Sequence, residues 1–281
     1  MSISQYGSLF KMILRARDVY TLSFTGSSLL KRKIFGTKRN LYSLNQKLLN
    51  FKDVKFLSYG DMIGIYKEIF VAEYLTALDD FVPKKGDIIF DVGAGEGFYS
   101  ILMKQKVNDI SVYAFEPFPD IQKILQYHLD VNGINNVTIV PKALYNNVGR
   151  GIYFFKHDYG NGFVLSPTEI DKNSLSTMAS CDSYTKIPIE FDTIYNFVQT
   201  MNIARIDILK VDVEGAEMKV LEGAKEFLSN VKKIVIEVHS TELKEQVNRH
   251  LSEFGFNRIP LDTYKSWVIR GIDYYINNTK T

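Results

Sequence analysis

From about residue 62 to the end of the chain, short apolar runs alternate with amphipathic stretches, and this pattern limits the possible fold more tightly than any other feature. The runs "DIIFD", "SVYAFEP", "VTIVP", "RIDILKVD" and "KKIVIEVH" are nearly continuous in apolar residues, as strands covered on both faces are. Between them lie helical patterns: "FYSILMKQ", "PDIQKILQYHLDVNG" with Gly133 as its C-cap, "AEMKVLEGAKEFLS" and "STELKEQVNRHLSEFG". An earlier stretch, "GDMIGIYKEIFVAEYLTALDDFV", reads as a further helix because Ile65, Ile69, Ala72, Leu75 and Leu78 fall near helical spacing. The tail segments "FNRIP" and "SWVIRGIDYYIN" read as a closing hairpin. Strands alternating with helices imply an α/β fold, a doubly wound and mainly parallel sheet with helices on both faces.

Ligands of such sheets sit beyond the carboxyl ends of the strands, so chemistry is to be read there. The first strand ends in "DVGAGEGFYS", with Gly93, Gly95 and Gly97 at alternate positions behind Asp91. Glycines there allow unusual torsions and let a ligand approach backbone N–H groups just before a helix. The dinucleotide fingerprint is G-x-G-x-x-G, whereas this spacing is G-x-G-x-G, which favours an adenosyl sulfonium cofactor. A purely structural turn would give the same letters. Glu116 adds weight, because it closes the second strand where a carboxylate can accept both ribose hydroxyls.

The order "DVGAGEGFYS", "FEPFP", "LKVDVEGAE" and "IEVH" resembles the FkbM family of S-adenosylmethionine-dependent methyltransferases, over roughly residues 62 to 259. The segment "ILKVDVEGAEMKVLEGA" is close to the family's Lys-x-Asp-x-Glu-Gly-x-Glu block, while Glu96 departs from the neutral residue many members carry there. The resemblance implies a class I methyltransferase (Rossmann-like) fold with a seven-stranded sheet, and O-methylation of a sugar, glycan or related small molecule. It further implies that Asp91, Gly93, Gly95 and Gly97 hold the methionine end of the cofactor, that Glu116 holds the ribose, and that Lys142 and Ala143 wall the adenine. Lys142 could equally be an exposed loop lysine.

The fourth and fifth strand ends carry a second constellation. The strand period of two puts Ile206, Ile208, Lys210 and Asp212 on one face, and Val235, Glu237 and His239 on another, so polarity enters only as each strand ends. A structural ion-pair network among Lys210, Asp212 and Glu237 is one reading. The catalytic reading makes His239 the general base, with Asp212 or Glu237 orienting it or the substrate hydroxyl and Lys210 offsetting developing negative charge. Asp212, Glu214, Glu237 and His239 could also hold a divalent metal, which the spacing does not demand.

At 46% hydrophobic and 23% charged residues, the composition is that of a soluble globular protein. The single cysteine, Cys181, forbids an intrachain disulfide, and with no signal-peptide pattern or spanning run the expectation is cytoplasmic. Residues 1–60 hold 11 lysines and arginines against two aspartates, a net charge of +9 in a chain whose total is +2. They are read as a basic helical N-terminal extension before a methyltransferase domain at 61–281, either a solvated surface or an arm for an anionic partner such as a lipid carrier, a membrane surface or RNA. Residues 150–190 read as an insertion over the site. In it Tyr153, Phe154, Phe155, His157, Tyr159 and Phe163 offer ring faces to a sugar or pack a core. RNA ribose or protein methylation and, less so, an NAD-linked oxidoreductase remain the alternatives.

Overall fold

The computed structural model describes residues 47–51, 54–58, 65–156, 162–165, 184–260 and 271–280. The chain separates after Lys47 into two units, and from Leu48 on the elements belong to the second. Strands β1 (Lys47–Phe51) and β2 (Val54–Ser58) pair with each other. Then follow β3 (Ile88–Val92), α1 (Phe98–Lys106), β4 (Ser111–Phe115), α2 (Pro119–Val131) and β5 (Val137–Val140). Strands β6 (Ala143–Leu144), β7 (Gly149–Lys156), β8 (Gly162–Leu165) and β9 (Tyr184–Asp192) come next. The chain continues through α3 (Ile194–Thr200), β10 (Ile206–Val211), α4 (Glu217–Glu222), β11 (Val231–Glu237), α5 (Thr241–Glu253), β12 (Phe256–Ile259) and β13 (Ile272–Asn277).

The alternation closes into one seven-stranded sheet in the order β12-β13-β11-β10-β3-β4-β5. Its central pairs, β11 with β10, β10 with β3, β3 with β4 and β4 with β5, are parallel, and β13 runs antiparallel between β11 and β12. This is the doubly wound, mainly parallel sheet of a class I methyltransferase, with the expected tail hairpin at its edge. Strand order reverses between β3 and β10, so a crevice opens where their carboxyl ends part.

Both faces of the sheet are covered, as its apolar strands require. On one face Phe90, Val92, Leu209, Val211, Ile234 and Ile236 meet Val198, Val220, Leu221, Val247 and Leu251 of α3, α4 and α5. On the other, Ile89, Val112, Ile208 and Val235 meet Leu102 and Met103 of α1 together with Leu75, Phe81 and Tyr274. A third cluster joins Val54 and Phe56 of β2 to Phe98, Leu125 and Leu129. Among the described residues, no helix is long and apolar enough to cross a membrane.

Four expectations change. Residues 47–51 and 54–58, placed in a helical extension, form strands, and Val54 and Phe56 are buried against α1 and α2; residues 1–46 lie outside the described residues. The helix expected across residues 60 to 82 is instead a π turn at Lys67–Val71 and two 3-10 turns, Tyr74–Thr76 and Asp79–Phe81. Its side chains serve two different clusters, Tyr66 packing with Phe56 and Leu75 with Phe81, so the chain bends at Glu73 (φ 49°) and at extended Leu78. The helix expected from 216 to 229 breaks at Gly223 into α4 and a 3-10 turn, Lys225–Asn230. The expected insertion is strand at both ends, a four-stranded sheet in the order β6-β9-β7-β8, with His157 and Tyr159 outside the described residues.

Gly223 has an ordinary φ, yet a Cβ there would stand 1.9 Å from the carbonyl oxygen of Tyr145. Gly133 shows the converse, φ 64° with open space around the missing Cβ. We therefore expect Gly223→Ala to destabilise the fold by about 3 kcal/mol or more, since backbone must move, and Gly133→Ala by only about 1–2 kcal/mol of torsional strain. Urea unfolding of both variants checks the order; equal losses would contradict the close approach at Gly223.

Candidate active site

The register of β3 with β10 sets Asp91 directly beside Lys210. Both are buried, Lys210 at 3% and Asp91 at 0% exposure. Lys210 Nζ lies 3.2 Å from Asp91 Oδ1 and 3.6 Å from Asp212 Oδ2, and it donates to the Gly93 carbonyl at 2.6 Å. Burial pulls the Lys210 pKa down, but Asp91 and Asp212 more than offset it, leaving it above the usual lysine value. The other Asp91 oxygen accepts from Ser100 Oγ at 2.7 Å, which fixes the carboxylate from α1. Asp91 thus acts beneath the turn.

The glycine turn rises from this pair. Gly93, Gly95 and Gly97 have φ of 76°, 52° and 85°, which side chains rarely adopt. Gly93 is also sterically required, because a Cβ would stand 1.9 Å from the Asp212 carbonyl oxygen at the end of β10. At Gly95 a Cβ would meet nothing within 4 Å. Gly95 N–H donates to Glu116 Oε2 at 3.1 Å and Phe118 N–H to Glu116 Oε1 at 2.9 Å. Burial pushes the Glu116 carboxyl up to about 8, those N–H bonds notwithstanding.

A cavity of about 480 Å³ opens over this floor, within the range of small-ligand sites. Of the candidate residues, Gly93, Gly95, Glu116, Ala143, Lys210, Asp212 and Glu237 border it. Lys142 and His239 do not. Lys142 Nζ is held 2.7 Å from Asp192 Oδ2, a buried carboxylate that also accepts from Asn196 and the Thr193 N–H, so this lysine belongs to the junction of β9 and α3. Glu68 and Tyr74, from the turns before β3, border the cavity too and carried no motif in the sequence. Burial and a hydrogen bond to Glu68 hold the Tyr74 hydroxyl well above the ordinary phenol range.

His239 is a different group from the one its position suggested. Its Nδ1 lies 2.6 Å from Glu217 Oε1 and its Nε2 3.5 Å from Glu214 Oε2. The bond to Glu217 pushes its pKa up to about 9 despite partial burial, so near neutrality the ring carries a proton rather than waiting for one. Glu217, fully buried and anchored by Gly215 N–H at 2.9 Å, is the partner that sequence reasoning missed, although it closes the quoted "KVDVEGAE". Glu237 borders the cavity instead, pushed up to about 7 by burial and by Asp212. Asp212, Glu214 and His239 bring ligand atoms within 4.8 Å of one another, without Glu237. Glu214 holds that corner in a left-handed conformation, φ 54°, which costs about 1–3 kcal/mol for a residue with a side chain.

A family model described as the methyltransferase FkbM domain matches residues 91–258. The methyltransferase sdnD of Sordaria araneosa is 28% identical over 214 residues, covering 69% of this chain and 81% of that protein. The hexuronic acid methyltransferase AglP of Haloferax volcanii is 28% identical over 171 residues, covering 60% and 63%. The 31-O-demethyl-FK506 methyltransferase FkbM of Streptomyces tacrolimicus is 25% identical over 218 residues, covering 70% and 82%.

Removing Lys210 would leave Asp91 buried without its cation. Lys210→Met should therefore cost about 3–5 kcal/mol in urea unfolding, and adding Asp91→Asn should recover part of the loss. Additive losses in the double variant would contradict the coupling.

Proposed function

The chain belongs to the FkbM family of methyltransferases, and from that premise we propose that it moves the methyl group of S-adenosylmethionine to a hydroxyl of a sugar or related small molecule. The observation that carries the cofactor assignment is the pairing of Gly95 with Glu116 at the cavity floor. The open space where a Gly95 Cβ would point leaves backbone accessible to a ligand. Each oxygen of Glu116 takes one N–H bond, which leaves acceptor capacity for ribose hydroxyls. The residues therefore fit the cofactor: Glu116 would hold the ribose, Gly93 and Gly95 the methionine end, and Ala143 the adenine. When bound, S-adenosylmethionine supplies a methyl group already activated by its positive sulfur. A cation nearby would also favour the ionised form of Glu116.

The chain's own contribution is position and proton handling. Methyl transfer needs the hydroxyl oxygen held in line with the methyl carbon, and the cavity-bordering Asp212 and Glu237 are the acceptors for that hydroxyl. Glu237 takes the proton, since His239 is already charged and engaged with Glu217. Protonated His239 serves as a fixed cation beside Glu214 and Asp212, and Lys210 fixes Asp91, Asp212 and the Gly93 carbonyl. Glu68, Glu96, Glu116, Asp212, Glu214 and Glu237 border the cavity with Lys210 as its only cation among the described residues, which supports a neutral hydroxyl acceptor over a polyanion such as RNA. O-methylation is further supported by the printed names of relatives, a hexuronic acid methyltransferase and a 31-O-demethyl-FK506 methyltransferase.

The test incubates the protein with methyl-labelled S-adenosylmethionine and fractionated cell extract, then measures turnover on the labelled fraction. Label should enter glycan or small-molecule material, and label confined to RNA or protein would refute the acceptor class. A base of pKa about 7 is ionised above that value, so turnover should rise as pH increases through about 7. Glu237→Gln should lower kcat by roughly 100-fold or more, and His239→Gln by less. The reverse order would return the base to His239.

A further inference from the structure

His128 lies in α2, outside the cavity, and is fully buried. Its Nε2 is 2.9 Å from the backbone nitrogen of Leu57 in β2, and its Nδ1 is 2.9 Å from the carbonyl oxygen of Glu96. The two partners dictate the tautomer. A backbone N–H can only donate, so Nε2 is the acceptor; the ring proton then sits on Nδ1, which donates to Glu96. Burial lowers the pKa of the ring, in keeping with this neutral form.

Both partners are themselves fixed or in need of fixing. One helical turn beyond His128, Asn132 accepts from Lys55 N–H at 2.8 Å and donates to the Lys55 carbonyl at 2.7 Å, so α2 grips the β2 backbone at two points. Phe56 between those points is buried against the ring of Phe98, which also lies 5.6 Å from the His128 ring. On the other side, Glu96 stands between Gly95 and Gly97, both with positive φ. Glycine torsions resist deformation weakly, so such a turn keeps its shape only through outside contacts. Its start is held by Gly93 and Ala94 N–H groups on the Phe115 carbonyl. The Gly95 contact to Glu116 involves the very carboxylate that would meet the ribose. The bond from His128 is a restraint on the turn that does not use a cofactor-binding group.

We propose that His128 is a positioning residue for methyl transfer: oriented by Leu57, it holds the Glu96 carbonyl and thereby keeps the glycine turn in the shape that receives the cofactor. This rests on the cofactor reading above.

Two substitutions separate the two bonds. Asparagine carries its amide at the place of Nδ1 and can still donate to Glu96, whereas glutamine reaches the place of Nε2, accepts from Leu57 and loses Glu96. Calorimetric titration with S-adenosylhomocysteine should show His128→Gln weakened about five- to tenfold, the size of one hydrogen bond, and His128→Asn within about twofold of wild type. KM for S-adenosylmethionine should follow, with kcat little changed. A role in packing alone gives the opposite order, because asparagine is shorter and a poorer helix former than glutamine; thermal unfolding of both variants records that effect separately. Wild-type affinity in His128→Gln, or equal loss in His128→Asn, overturns the proposal. If the glutamine variant fails to fold, loss of affinity in the asparagine variant alone overturns it. Wild-type protein that does not bind S-adenosylhomocysteine removes the cofactor reading, and the proposal with it.

Discussion

A lysine ammonium with 3% of its surface exposed is tolerable only where partners replace its water, and Lys210 has them on every side. The pairing of β3 with β10 brings Asp91 to it, and the Gly93 carbonyl completes the set. The consequence reaches beyond charge. By holding that carbonyl the lysine fixes where the glycine turn begins, and the missing Cβ of Gly93 lets the Asp212 backbone close against it. Two motifs about 120 residues apart, "DVGAGEG" and "KVDVEG", are therefore one device at the point where the strand order reverses.

Location decides what a buried acid does here. Asp207, at the opposite end of β10, is as buried as Asp91 and is met by Lys232, Arg205 and the Ile88 N–H. Its partners saturate it and no cavity faces it among the described residues. At the carboxyl ends, by contrast, Glu116 and Glu237 border open volume and burial raises both carboxyls into the neutral range. Glu217 and His128 stand one layer back, each holding a group that does the facing.

The sheet was legible because its strands are apolar throughout and their polar residues wait for the last turn of the pleat, as Ile208, Lys210 and Asp212 do. The glycine turn and Glu116 were legible for the same reason. Tertiary partners were not. Ile65 to Leu78 has a helical stripe, but the segment must fill two separate clusters, and local spacing does not reveal that. Lys142 follows a strand as a cavity wall would, yet Asp192, fifty residues on, takes it. His239 has the sequence of a neutral base and the surroundings of a cation, because Glu217 arrives from α4.

A crystal structure with S-adenosylhomocysteine bound would test whether the Lys210 device presents a nucleoside site. The account expects the ribose hydroxyls on Glu116, the adenine against Ala143, and Lys210 still on Asp91 and the Gly93 carbonyl. A nucleoside seated elsewhere in the cavity, or a Lys210 side chain turned to the ligand and away from Asp91, would contradict it.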